Sequence, residues 1–231
     1  MKDELLKRIL SSIILIPLAF FFIIKGSFFF IFFVLICFLI ASYEWHMLSK
    51  KSDYYLIGYM FLIISFYSVY SLRNNFGDEN ILIFLFVFLI CISTDIGGYV
   101  FGKIFKGPKL IKKISPNKTF SGMIGGYFLS ILVINVFFNY SYILKYDFDA
   151  LKYYGAETLK QVEPNFDYKV FIMIILLSTV SQIGDIIISY FKRLSKVKDT
   201  GKIIPGHGGI LDRIDGMIFT FPFAYLIYVI I

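Results

Sequence analysis

The chain has 231 residues, of which 58% are hydrophobic and only 17% charged, with a mean hydropathy of +0.76. Ordinary globular domains carry about 25% charged residues, and 28 Phe with 17 Tyr are more than a water-facing surface can hide, so a soluble domain is excluded and the bilayer is the solvent. The net charge of +7 does not indicate nucleic acid, because the basic residues cluster beside apolar runs, as membrane topology requires.

A hydrocarbon core takes about 20 residues of helix to cross. Seven apolar stretches meet or approach that length, at 9–24, 27–43, 55–72, 81–101, 120–138, 170–191 and 217–231. The first follows Lys7 and Arg8 but has no small-residue cleavage site after it, and a second apolar run begins directly after Lys25 and Gly26. It is therefore expected to stay as a helix carrying Pro17 rather than to be a cleaved signal. Cys37 and Cys91 both fall inside apolar runs, which excludes a disulfide framework or CxxC metal site and makes them packing residues.

With the N-terminus inside and the C-terminus outside, seventeen of the 23 basic residues fall on inner segments and six on outer ones. The longest outer segment, 139–169, is rich in Asp, Glu and Tyr and carries no chemical motif. The expected fold is an all-α polytopic membrane protein of about seven transmembrane helices, with its active site on the cytoplasmic side. One transmembrane domain covers 1–231, with 1–92 supplying N-terminal helices and 93–231 the catalytic helices and loops.

Two of the spans hold a carboxylate within an apolar run, Asp95 and Asp185. A charged Asp in the bilayer costs about 2.5 to 3.5 kcal/mol on insertion scales, so such residues usually face a cavity or a partner. Asp185, Ser189 and Lys192 share one helix face at i, i+4 and i+7, with Arg193 beside them. Asp212 and Asp215 stand three apart at the start of the last run. Hard cations such as Mg²⁺ prefer oxygen ligands and retain waters, so two or three of these acids suffice for a metal that also holds phosphates. Acids beside many cations point to phosphoryl or nucleotidyl transfer.

Between the last two spans, Pro205-Gly-His-Gly-Gly209 lets backbone N–H groups approach an anion, chiefly at Gly208 and Gly209. Lys192, Arg193, Lys198 and Arg213 supply positive charge for a triphosphate, and His207 is a candidate donor to phosphate. Upstream, Ser115, Asn117, Lys118 and Thr119 offer polar groups in a turn stiffened by Pro116, just before a helix N-terminus suited to anions. Gly98 with Gly102, and Gly122 with Gly126, are read as close helix packing.

The run Ser189 to Asp215 fits SxxKRxxxxKDxGxxxPxHGGxxDRxD without a gap, and in this it resembles the phosphatidate cytidylyltransferase, or CDP-diglyceride synthase, family. The block from Asp95 through Gly97, Tyr99, Gly102 and Lys103 to SPNKT and Gly125-Gly126 is similar too. The first three spans match only in hydropathy and around Glu44 and Trp45.

The resemblance implies an inner-membrane enzyme that transfers CMP from CTP to phosphatidic acid, giving CDP-diacylglycerol and pyrophosphate. It implies one or two Mg²⁺ ions, with Asp185, Asp212 and Asp215 as ligands and Asp199 close by. Catalytic roles fall on Asp185, Asp212, Lys192, Arg193, His207 and Arg213. Substrate-binding roles fall on Asp95, Ser115, Asn117, Lys118, Thr119, Ser189, Lys198, Asp199, Gly208 and Gly209. CTP, phosphatidic acid and the lipid bilayer are the expected partners, with a second copy of the chain as a further candidate and no nucleic acid. A transporter would also place acids within helices, but would not need Lys198, Asp199, His207, Asp212 and Arg213 in one loop. The DGxxAR pattern of the CDP-alcohol phosphatidyltransferases is absent.

Overall fold

The computed structural model describes residues 2–50, 52–74, 80–153, 168–204, 206 and 208–230. All seven apolar stretches lie in helices: α1 (Lys2–Lys25), α2 (Ser27–Ser49), α3 (Tyr55–Asn74), α4 (Asn80–Phe105), α5 (Phe120–Tyr153), α6 (Tyr168–Leu194) and α8 (Met217–Ile230). A short helix, α7 (Leu211–Ile214), precedes the last. Five helices, α2 to α6, are long and apolar enough to cross a membrane, and two shorter apolar segments lie in α1 and α8. Apolar residues run all round these helices rather than along one stripe, and Phe28, Leu56, Ile57, Met60 and Ile124 point outward, each more than 60% exposed. An apolar exterior of this kind is matched to hydrocarbon rather than water.

The fold is mostly helical as expected, with one addition and one correction. The addition is a small ribbon, in which β1 (Lys109–Ile111) and β2 (Ser115–Thr119) pair antiparallel, with Lys109 opposite Thr119 and Ile111 opposite Ser115. Pro116 is compatible with this because an edge strand leaves some N–H positions unpaired. Such a ribbon is marginal alone. Here it is pinned at its root, where the Phe120 N–H donates to Pro108 O at 3.1 Å and the Ser121 hydroxyl to Lys106 O. At its tip Arg193 Nε donates to Ile114 O at 3.1 Å. The correction concerns the expected 139–169 loop. Its first part, through Tyr153, continues α5, and 154–167 lie outside the described residues.

The α4–α5 pair makes the broadest helix contact, and glycine allows it. A Cβ on Gly97 would stand 2.4 Å from Gly125 O, and one on Gly122 would stand 2.6 Å from Gly98 O. Gly98 and Gly122 thus pack as expected, while the tight Gly97–Gly125 contact falls outside both GxxxG pairs. Two apolar clusters fill the interior. One contains Phe30, Leu72, Phe84, Ile90, Ile174 and Phe221. The other, nearer the α2–α3 turn, contains Trp45, Leu48, Leu62, Ile188, Leu211 and Ile218. Buried hydroxyls stitch helices together. Ser65 Oγ donates to Ile218 O at 2.6 Å, and Thr94 Oγ1 to Ser178 Oγ at 2.8 Å. Cys37 and Cys91 are free thiols within helices, as expected of packing residues.

Candidate active site

Asp185, Lys192 and Arg193 of α6 gather with charged residues of the β-ribbon and the 195–216 segment at one end of the bundle. From α6, Lys192 Nζ reaches Asp212 Oδ1 at 2.8 Å, with both side chains nearly buried. The other oxygen of Asp212 accepts the Thr200 N–H at 2.8 Å and the Gly209 N–H at 3.0 Å. Asp212 therefore closes the 200–209 loop on itself and locks it to α6. Gly208 has φ +86°, and a Cβ there would stand 2.9 Å from Asp212 Oδ2, so both backbone conformation and space call for glycine. Inside this loop Ile204 N donates to Gly208 O at 2.9 Å. His207 and Pro205 lie outside the described residues.

A second pair joins the two charged blocks of the sequence. Lys118 Nζ on β2 lies 2.5 Å from Asp185 Oδ2 on α6, each about a quarter exposed. Asp215, at the α7–α8 junction, is buried, and its Oδ1 accepts the Gly216 N–H at 3.0 Å. It lies against Asp185. Burial raises its pKa well above the usual carboxylate range, and the neighbouring charges of Asp185 and Asp95 push it further the same way, partly opposed by Lys192. Asp95 on α4 stays accessible and acts electrostatically on Asp185, with Lys118 and Arg213 also in range.

Of the three expected metal ligands, Asp185 and Asp215 lie together and Asp212 stands in the adjoining loop. Among the described residues no three His, Cys, Asp or Glu side chains converge to hold a metal ion. The oxygens of Asp212 are shared here by Lys192 and two backbone N–H groups. Asp185 and Asp215 remain side by side, and two adjacent carboxylates are a donor set that suits a hard cation.

The other expected site residues divide. Thr119 is buried, and its Oγ1 accepts the Gly122 N–H at 3.1 Å, which makes it the N-cap of α5. Arg193 is exposed and spends Nε on Ile114 O and a terminal nitrogen on Val197 O at 3.3 Å, so it fastens the ribbon to the loop. Ser189 is buried within α6. Lys198, Asp199, Asn117 and Arg213 are exposed around the mouth, with Ser115 half-buried. Gly209 is buried, and its N–H serves Asp212.

Residues 54–231 match the model described as the cytidylyltransferase family. The chain belongs to that family. Similar proteins include the phosphatidate cytidylyltransferase of Rickettsia bellii, 36% identical over 230 residues that cover 98% of this chain and 91% of the relative. That of Rickettsia typhi is 34% identical over 96% of this chain and 90% of its own. The phosphatidate cytidylyltransferase of Staphylococcus aureus strain COL is 34% identical over 83% of this chain and 66% of its own.

Sequence reasoning assigned no role to Glu44, which the structure places against this same loop with its carboxylate wholly buried. The signal that singles out Asp95 and Asp185, an acid near the charged end of an apolar run, applies equally to Glu44. Ending the second span at Tyr43 set it outside the run.

Proposed function

We propose that the protein is an integral inner-membrane enzyme that transfers CMP from CTP to phosphatidic acid, releasing pyrophosphate and giving CDP-diacylglycerol. Seven spans, an inside N-terminus and an active site at the cytoplasmic end complete the reading. The observation that carries it is the pairing of Lys118 with Asp185 and of Lys192 with Asp212 beside the acid Asp215. This arrangement concentrates phosphate-binding cations and cation-binding acids at the end of apolar helices, and its residues lie within the region that matches the family.

In the reaction, a phosphate oxygen of phosphatidic acid attacks the α-phosphorus of CTP. A new P–O bond forms on one side while the bond to the β-phosphate oxygen breaks, and pyrophosphate leaves with that electron pair. No protein nucleophile is required, because a phosphomonoester has a second pKa of about 6 and its oxygen is already anionic near neutrality. The protein must bring two repelling anions together and neutralise the charge on the leaving group. Lys118 and Lys192 would exchange their carboxylate partners for phosphate oxygens as substrate enters, and Arg213 would add a planar fork at the mouth. Mg²⁺ held by Asp185 and Asp215 would supply further neutralisation of phosphate oxygens.

The test is direct. Purified protein in lipid micelles with α-labelled CTP, phosphatidic acid and Mg²⁺ is expected to convert label into CDP-diacylglycerol and to release one pyrophosphate per turnover. Label remaining in CTP, or transfer of the γ-phosphate to a lipid alcohol, would sink the assignment.

A further inference from the structure

Glu44 lies on α2, far in sequence from every residue used above, yet it is one of the most thoroughly engaged side chains at the site. Only 1% exposed, it accepts three hydrogen bonds, all from the 200–211 loop. Thr200 Oγ1 and the Leu211 N–H donate to Oε2, each at 2.8 Å, and the Ile210 N–H donates to Oε1 at 2.9 Å. The loop passes so close that two of its residues have no room for a side chain. A Cβ on Gly209 would stand 2.3 Å from Oε2, and one on Gly201 would stand 2.7 Å from Oε1. From the opposite side Asp212 takes the N–H groups of Thr200 and Gly209. Thr200 is thus held by two acceptors that come from different parts of the chain, and Gly209 is bonded to one and packed against the other.

We propose that Glu44 is a positioning residue for nucleotide binding: it fixes the 200–211 backbone so that Lys192, oriented by Asp212, and Arg213 are presented to the triphosphate in one arrangement. This rests on the cytidylyl-transfer reading above. The chemistry requires an acceptor-only group with two oxygens. Glutamine cannot substitute, because its NH₂ would face either the Ile210 N–H or the Leu211 N–H, donor against donor. Aspartate is one methylene too short to reach all three donors while the loop keeps its place.

The experiment compares the parent with Glu44→Gln and Glu44→Asp by amide hydrogen exchange, thermal melting in detergent, and kinetics with CTP and phosphatidic acid varied separately. Exchange of the 199–213 amides is expected to rise at least tenfold, with the melting temperature within a few degrees of the parent. KM for CTP should rise about tenfold while KM for phosphatidic acid stays within twofold. Thr200→Val, which removes one of the three donors, should raise loop exchange about threefold and keeps the test decisive if a Glu44 variant fails to fold. Unchanged exchange in the loop would overturn the proposal. So would a collapse of melting temperature with both KM values moving together, since Glu44 would then be only a core residue. Exchange does not depend on the reaction assigned, so an inactive parent with an opened loop in the variants would retain the anchoring and discard the reaction alone.

Discussion

Asp185 and Asp215 stand together with Lys118 at one side, and each asparagine substitution there keeps the shape while removing a carboxyl group that could bind a cation. Asp185→Asn and Asp215→Asn are expected to fold, with product formation reduced by at least a hundredfold, and the double variant should be little worse than either alone. Retention of most activity in either variant, measured on well-expressed protein, would reduce that acid to a structural partner. Asp212 should behave differently. Asp212→Ala strands the Lys192 ammonium in a nearly buried place and leaves two backbone donors without an acceptor. Breaking a buried pair this way costs about 3 to 5 kcal/mol, so the melting temperature should fall. Adding Lys192→Met should restore part of it without restoring catalysis; no recovery would show that the pair is not what holds the loop. Arg213→Lys keeps the charge but loses the fork, and is expected to lower kcat/KM for CTP at least tenfold. Activity within twofold of the parent would confine Arg213 to a general electrostatic role.

At the scale of elements, the α4–α5 glycine seam sets where β2 emerges, and hence where Lys118 meets α6. Gly125→Val places a Cβ 2.2 Å from Phe101 Cβ and must drive the helices apart, because atoms in a packed interface have nowhere to go. Lower thermal stability and lower activity should appear together, and an unchanged melting curve would contradict the seam. The apolar runs announced every long helix, since membrane spans need only length and hydropathy. The ribbon was not legible. Three and five residues are too few for a period, and its stability comes from Arg193 and the α5 start rather than from its own sequence. The closing role of Asp212 on the loop was not legible for a related reason. The acids at 212 and 215 look equivalent on a helix, and only tertiary closure by Thr200, Gly209 and Lys192 distinguishes them. What Glu44 binds was hidden because its partners lie more than 150 residues away.

For the whole molecule, the orientation proposed from charge bias can be read by labelling. In a background with Cys37 and Cys91 replaced by serine, a single cysteine in 139–169 should react with an impermeant thiol reagent on intact cells. A cysteine at Lys198 should react only after permeabilisation. Labelling of position 198 from outside would remove the site from cytosolic nucleotide and defeat the proposed reaction.

Asp185 sits nine residues before the end of α6, which at about 1.5 Å per residue is roughly 14 Å along the helix axis. Asp185 is therefore set well back from the ribbon tip, where Ile114 meets Arg193, and Lys118 reaches it from the ribbon's other end. A lipid phosphate anchored at the bilayer surface approaches such a depth from the side, without its chains leaving hydrocarbon. The water-soluble substrate has the longer journey: a triphosphate must descend past Arg213 and Lys192 and give up much of its hydration on the way. Bulk at the rim should therefore burden the nucleotide more than the lipid, and the product, once formed, already lies in the membrane where it is used.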